Sequence, residues 1–334
     1  MVERLPGTAE TQPELLAHHH TETGLGEKAI AYWQRASERA IERSANIEAM
    51  SHLTKGLELP QTLPETPERV QQELSLPTTL EPVLMAVKGY AAPKVEQTYA
   101  WARELCQNAG KTPRLFQVLL GLWNFYCVRA EFKIAQEFRE ATTHTGAGAT
   151  KLDFLMEAHS VLGKTLMNAA EFASALSHFE NAIALYDPEQ HRSHAILYGQ
   201  DVGVTCLGYL SWILWYLGYP DQALKRSDES LALARQLDHS LTLVFALGHA
   251  AQFRRFRREV QATQERAGEA IALAAEHGFL SYLTIGAIYQ AGALLEQGQQ
   301  ERGFAQLRQG IAAWQRTGVE IAGPNFLGML VKAY

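Results

Sequence analysis

A short pattern recurs along this chain. A small or turn residue ends one helical stretch, and five positions later a second small residue sits inside the next. Gly24 pairs with Ala29, Ala130 with Ala135, Ala170 with Ala175, Gly218 with Ala223, and Gly298 with Gly303. The first residue of each pair lets the backbone leave the helix, and the second lets two helices cross closely. A chain built this way buries each copy against its neighbours and grows by stacking. That explains how 334 residues, more than most single cores hold, form one array. The last three anchors imply a repeat of a little over 40 residues. The minimal tetratricopeptide unit has about 34, so each helix here carries extra turns.

The clearest copy is AHSVLGKTLMNAAEFASALSHFENAIAL. Leu162 and Gly163 sit mid-helix, Ala175 occupies the crossing, and Phe179 and Ala182 follow on the same face at i+4 and i+7. The copy over 207–233 keeps Leu210, Leu214, Gly218 and Ala223 but has Ser227 and Ser230 later; the first copy has Leu16, Ala17, Ala29, Trp33 and Ala36. Ala, Leu, Glu and Gln are abundant, a mix that favours helix, and no segment alternates with the period of a strand. The expected fold is all-α, a right-handed superhelical solenoid of tetratricopeptide-like antiparallel helix pairs.

The organisation reads as N-terminal helical repeats over 1–59, a proline-containing interruption over 60–79, and a main solenoid over 80–334. Helices are predicted at 68–75 and 80–89, flanking Pro77, and at 131–143. A loop over 186–200 starts at Asp187-Pro188. The last helix, 324–333, has no partner and would expose Phe326, Leu327, Met329 and Leu330. This predicts continuation in a longer chain, capping by a partner, or self-association through that half-repeat.

A formal net charge of −6 argues against binding polyanions by bulk charge, and no nucleic-acid reading module is present. Cys106, Cys127 and Cys206 lie in apolar helical patterns and form no CxxC pair, which fits a reducing, cytoplasmic setting. The start lacks the pattern of a signal peptide, and the most apolar stretch, 202–217, is too short to span a membrane.

The segments GLGEKAIAYWQRASERAIERSANIEAMSHLTKGLEL, KGYAAPKVEQTYAWARELC, YDPEQHRSHAILYGQD, LGYPDQALKRS and EQGQQERGFAQLRQGIAAWQRTGVEIAGPNFLGML carry a family resemblance. They resemble the tetratricopeptide region of large bacterial signalling proteins that also carry a class III adenylate or guanylate cyclase and an ATPase of the AAA/STAND type. The resemblance implies a coupling or sensor portion of such a system, with an ATPase or cyclase module as partner. The activities are not implied, because the chain holds neither a GxxxxGK[ST] phosphate loop nor the cyclase aspartates. FREATTHTGAGATKLDF departs from the family, where a longer helix is expected.

In tetratricopeptide arrays the first helix of each pair lines the concave groove. Aligning the pairs on their anchors puts Asn124, Lys164, Asn168, Trp212, Trp215, Tyr216, Arg254 and Arg255 on that face, together with Cys127, Met167, Leu295 and Glu296. Aromatic rings flanked by cations suit a peptide with acidic or aromatic side chains. The bland alternative is that the aromatics are core and the arginines a solvated helix end. The loop offers Tyr186, Asp187, Arg192, Tyr198 and Asp201 as a polar, aromatic contact; alternatively it shields the apolar helix that follows. His18, His19 and His20 point about 100° apart on a helix and cannot converge on one metal. His191 and His194 have only Asp187 and Glu189 as acids nearby in sequence, so no metal or cofactor site is expected. No nucleophile context is present, and the chain reads as no enzyme.

Two functions fit: a scaffold binding a protein or peptide in its groove, or a small-molecule sensor regulating a linked ATPase, cyclase or transcription module. An enclosed cavity lined by Trp212, Trp215 and Tyr216 would favour the sensor; an open groove exposing Lys164, Arg254 and Arg255 would favour the scaffold.

Overall fold

A computed structural model describes residues 12–59, 67–108, 114–137, 151–191 and 193–333. Among these residues the structure is helical, with no strand. The helices are α1 (Pro13–Glu22), α2 (Gly26–Glu42), α3 (Asn46–Glu58), α4 (Pro67–Lys88), α5 (Pro93–Asn108), α6 (Arg114–Val128), α7 (Lys151–Asn168) and α8 (Phe172–Leu185). They continue as α9 (His194–Tyr198), α10 (Val202–Tyr216), α11 (Pro220–Gln236), α12 (Ser240–Phe256), α13 (Val260–His277), α14 (Leu280–Glu296), α15 (Gln300–Arg316) and α16 (Gly323–Ala333). Consecutive helices pack in antiparallel pairs, and first helices also pack on first helices, α10 on α12 and α12 on α14. This is the expected solenoid with long repeats.

The repeat is set by its turns. Gly218, Asp238, Arg258, Gly278, Gly298 and Gly318 all have positive φ, between 52° and 86°, and each lies 20 residues after the one before. A left-handed residue ends each helix by turning its N–H back onto the last carbonyls, as Gly218 N does to Trp215 O at 3.1 Å. Two such half-units make the repeat of about 40 residues. Where the turn residue is not glycine, as at Asp238 and Arg258, the chain accepts about 1–2 kcal/mol of backbone cost to keep that spacing.

Close crossings depend on the small residues. A Cβ on Gly163 would stand 2.8 Å from the Phe179 ring, and Phe179, Ala175 and Ala182 are buried in the same cluster. Trp33 plays the large-residue part in the first copy, buried with Ala17 and Ala29.

One helix, α4, occupies the place of the two expected at 68–75 and 80–89, with Pro77 and Pro82 inside it. Pro82 cannot donate to the Thr78 carbonyl, one turn earlier. That carbonyl instead accepts from Gln117 Nε2 at 3.2 Å, so Pro82 leaves no orphaned acceptor. Of the expected helix 131–143, residues 132–137 are helical, residue 131 precedes the helix, and 138–143 lie outside the described residues. The final helix is less exposed than the sequence suggests. Phe326 and Met329 are buried against α14 and Trp314, while Leu327 stays half-exposed. Phe326 falls on the face that α14 covers, a pairing that sequence order alone does not reveal.

The array folds back on itself. Ser44 Oγ donates to or accepts from Ser240 Oγ at 3.2 Å, and Tyr90 and Tyr282 hydroxyls lie 3.3 Å apart. The backbone N–H groups of Glu320 and Ile321 both donate to the Val128 carbonyl, at 2.8 and 3.2 Å. The N-terminal helices and the last repeats thus meet around the concave face.

Gly163→Leu is expected to cost about 2 kcal/mol, by forcing side chain into the Phe179 ring. Gly268, with nothing within 4 Å of its missing Cβ, is the matched control. Gly268→Ala should stabilise by up to about 1 kcal/mol through helix propensity. Urea unfolding of both variants checks the pair of signs.

Candidate functional site

The concave face holds a cavity of about 450 Å³ that is about half open to solvent and is not lined by Trp215. Helix α6 contributes Asn124, α7 contributes Lys164, Met167 and Asn168, and α10 contributes Tyr209, Trp212 and Tyr216. Helices α12 and α14 add Phe245, His249, Gln252, Tyr282 and Tyr289. Tyr90 and Gln200 enter from connections, and Trp314, Asn325 and Phe326 close one side. Five of the eight predicted groove residues therefore come together: Asn124, Lys164, Asn168, Trp212 and Tyr216.

The other three are placed differently. Trp215 turns to the Phe253 ring, 6.0 Å away and edge-on. Arg254 is held by Asp228 at 2.6 Å and Glu259 at 2.8 Å. Arg255 does not line the cavity but adjoins it, donating to Oδ1 of the lining residue Asn325 at 2.7 Å. Helix geometry explains the split. The lining stripe of α12 runs 245, 248, 249 and 252, at spacings of three and four; Arg255 continues its direction one turn beyond the lining, and Arg254 is one residue, about 100°, off it. Phe245, His249, Gln252, Tyr282 and Tyr289 escaped the sequence reading because it used only the last turn before each anchor. The same stripe followed back by i−3 and i−7 from Arg255 reaches Gln252 and Gly248.

The electrostatics of the wall are uneven. The Lys164 ammonium lies 5.6 Å from the Trp123 ring centroid and 5.9 Å from that of Tyr209. Burial holds its pKa below the ordinary lysine value. It makes no ion pair among the described residues. Asn124 and Asn168 spend N–H groups on sulfur, at Met85 (3.8 Å) and Cys127 (3.3 Å), which are weak acceptors. His249 stacks on Trp212, with ring centroids 4.2 Å apart and planes 10° from parallel. Its Nδ1 faces the Phe245 carbonyl at 3.3 Å, so Nδ1 carries the proton and Nε2 holds a lone pair. Burial pushes its pKa down to about 3, so the ring is neutral at neutral pH. Tyr289 donates to Gln252 Oε1, and Gln200 Nε2 bridges the Tyr90 and Tyr282 hydroxyls at 2.8 and 2.5 Å.

The 186–200 segment is a folded clamp containing α9. Tyr186 donates to Asp201 Oδ2 at 2.9 Å, and Asp201 caps α10 by accepting from Val204 N at 2.9 Å. Asp187 Oδ1 accepts from Glu189 N and Gln190 N. Tyr198 meets Phe116 and His194 edge-on. Arg192 lies outside the described residues. His191 and His194 have acids after all: Asp153 at 3.0 Å and Glu157 at 3.1 Å, both from α7 and almost 40 positions upstream. Burial alone would lower the His194 pKa, but the Glu157 hydrogen bond and the charges of Glu157, Asp153 and Asp201 leave it above the usual value. Among the described residues no group of three metal-ligating side chains converges, and His18 and His20 pack on Trp33 and Tyr32. No described helix is long and apolar enough to cross a membrane.

A histidine kept neutral in the folded state binds fewer protons there than in the unfolded chain. His249 therefore contributes stability that is lost as pH falls below about 6.5 towards its folded value. Between pH 7 and pH 5 this loss is about 2 kcal/mol. His249→Phe should reduce the acid sensitivity of denaturant unfolding by that amount; an unchanged difference between pH 7 and pH 5 contradicts it.

No family model and no curated protein matches the sequence. Among solved structures, a Rap protein complexed with competence and sporulation factor is similar, with TM-score 0.62 and 11% identity over 91% of this chain and 85% of that chain. The apo form of RapI has TM-score 0.46 and 12% identity over 87% of this chain and 77% of that chain. Yeast Tom70 has TM-score 0.33 and 13% identity over 96% of this chain and 88% of that one. The chain thus shares a tetratricopeptide-like helical-repeat fold with the first of these.

Proposed function

We propose that this chain is a non-catalytic helical-repeat scaffold that binds a short protein or peptide segment in its axial cavity. The observation that carries this reading is the convergence of Asn124, Lys164, Asn168, Trp212 and Tyr216 on one cavity of about 450 Å³. That volume lies within the range of ligand sites, about 300–1,000 Å³. Stacking rings for side chains and amides for a peptide backbone suit an extended segment of a few residues. The Rap protein of similar fold, complexed with competence and sporulation factor, supports the reading. We place the scaffold in the cytoplasm, as the coupling portion of a bacterial signalling system whose output is an ATPase or cyclase module. The half-exposed Leu327 and the exposed Val331 on α16 offer that module, or a second copy, an apolar edge.

A second reading, a small-molecule sensor for a linked module, gains from one feature. The Glu320 and Ile321 bonds to the Val128 carbonyl close the array around the cavity, as a sensor needs.

Gly248 provides the test. Its missing Cβ would meet only Ile285 and Tyr282 atoms, at 3.9 Å, so a larger side chain projects into the cavity without forcing helices apart. Phage-displayed random heptapeptides selected on the wild-type chain should bind it in solution and quench its tryptophan fluorescence. Gly248→Leu should weaken that binding at least about tenfold with helicity unchanged. Equal binding by the variant would place the site elsewhere.

A further inference from the structure

Lys164 and Arg255 face or adjoin the cavity with no carboxylate partner among the described residues. In the run 254–258, Arg254 and Arg257 are taken up by Asp228 and Glu259 at 2.6–2.8 Å. Arg255 instead donates to a neutral amide, Asn325 Oδ1, and its Nε–H is buried without an acceptor. Lys164 lies over aromatic rings and has no ion pair among the described residues. Unspent donors lie on the cavity wall that Arg255 adjoins. A guanidinium only donates, so Asn325 must turn its oxygen to Arg255, which leaves its amide N–H groups free. Asn325 Nδ2 and Trp314 Nε1 are both buried without a partner, and both residues line the cavity. Trp314 is 4% exposed, so water does not readily relieve it. The Gln252 oxygen already accepts from Tyr289. Buried donors and an unneutralised charge are costly until a ligand supplies acceptors and a negative charge.

We propose that the cavity recognises a carboxylate-bearing organic ligand. The Arg255–Asn325–Trp314 donor group receives the carboxylate, Lys164 supplies a second positive charge, and the apolar body lies against Trp212, Tyr216 and Phe245. This rests on the cavity being the binding site, and it names the chemistry that the site selects. The carboxylate is the C-terminus of a peptide or belongs to a free organic acid.

Dansylglycine and dansylglycinamide separate charge from shape, because they share one fluorescent body and differ only at the carboxylate. The full chain should bind dansylglycine at least about tenfold more tightly than the amide, at one site. Arg255→Gln and Lys164→Gln should each shrink that preference. Asn325→Asp keeps a partner for Arg255 and so keeps α16 docked, yet places a negative charge where the ligand's belongs; it should abolish the preference with thermal stability maintained. Displacement by the peptide Ala-Phe-Leu-Phe with a free C-terminus identifies a peptide end, and displacement by 4-phenylbutyrate alone a free acid. Equal binding of the two dansyl probes, a preference that survives all three substitutions, or displacement by neither competitor overturns the proposal. Equal binding that Gly248→Leu removes leaves the cavity as the site, whereas binding of neither probe counts against both readings.

Discussion

A left-handed backbone residue recurring every 20 positions from Gly218 to Gly318 governs the C-terminal half of this protein. It stops each helix at 15–18 residues and reverses the chain, so α10 to α15 have nearly one length. Equal lengths put equivalent residues at equivalent heights, and the first helices of successive pairs then share one inner surface. The stripes of α10, α12 and α14 line the cavity for this reason: Tyr209, Trp212 and Tyr216, then Phe245 and His249, then Tyr282 and Tyr289.

Regular stacking alone would leave an open groove. Closure comes from side-chain and backbone groups far apart in sequence. Gln200 ties Tyr90 to Tyr282, and the segment after α15 hydrogen-bonds to the end of α6 through Val128. These contacts are polar and specific, whereas the repeat contacts are apolar and periodic. Burial of the Lys164 ammonium and of the Arg255 Nε strengthens their influence on whatever enters and raises the cost of leaving their partners unmade.

The repeat was legible in the sequence because small residues and turn residues act locally. Gly163, Ala175 and Phe179 announce a crossing within a span of 17 positions. The first-helix face was legible for the same reason in α6, α7 and α10, where Asn124, Lys164, Asn168, Trp212 and Tyr216 reach the cavity. It failed at Arg254, where an error of one residue rotates a side chain by about 100°. It also missed Asn325, Trp314 and Tyr90, which reach the cavity only through closure, a long-range event with no local pattern. The pairing of His191 and His194 with Asp153 and Glu157 was invisible for that reason too. Pro77 misled in the opposite direction: the helix runs through it and on through Pro82, whose missing bond to Thr78 is replaced by Gln117, 39 positions after Thr78.

Closure of the solenoid on its own concave face can be trapped by a crosslink. Ser44 and Ser240 hydroxyls stand 3.2 Å apart across the closure. The native cysteines, Cys106, Cys127 and Cys206, are buried and free, so they leave a new pair unobstructed. In the Ser44→Cys/Ser240→Cys variant, mild oxidation of the folded, dilute protein should form an intramolecular disulfide linking those two positions, detected as one crosslinked peptide pair by mass spectrometry. A closed array predicts rapid, near-complete crosslinking in native buffer. Crosslinking that is absent, or that forms only between two chains, would contradict the closed architecture and with it the cavity that it walls.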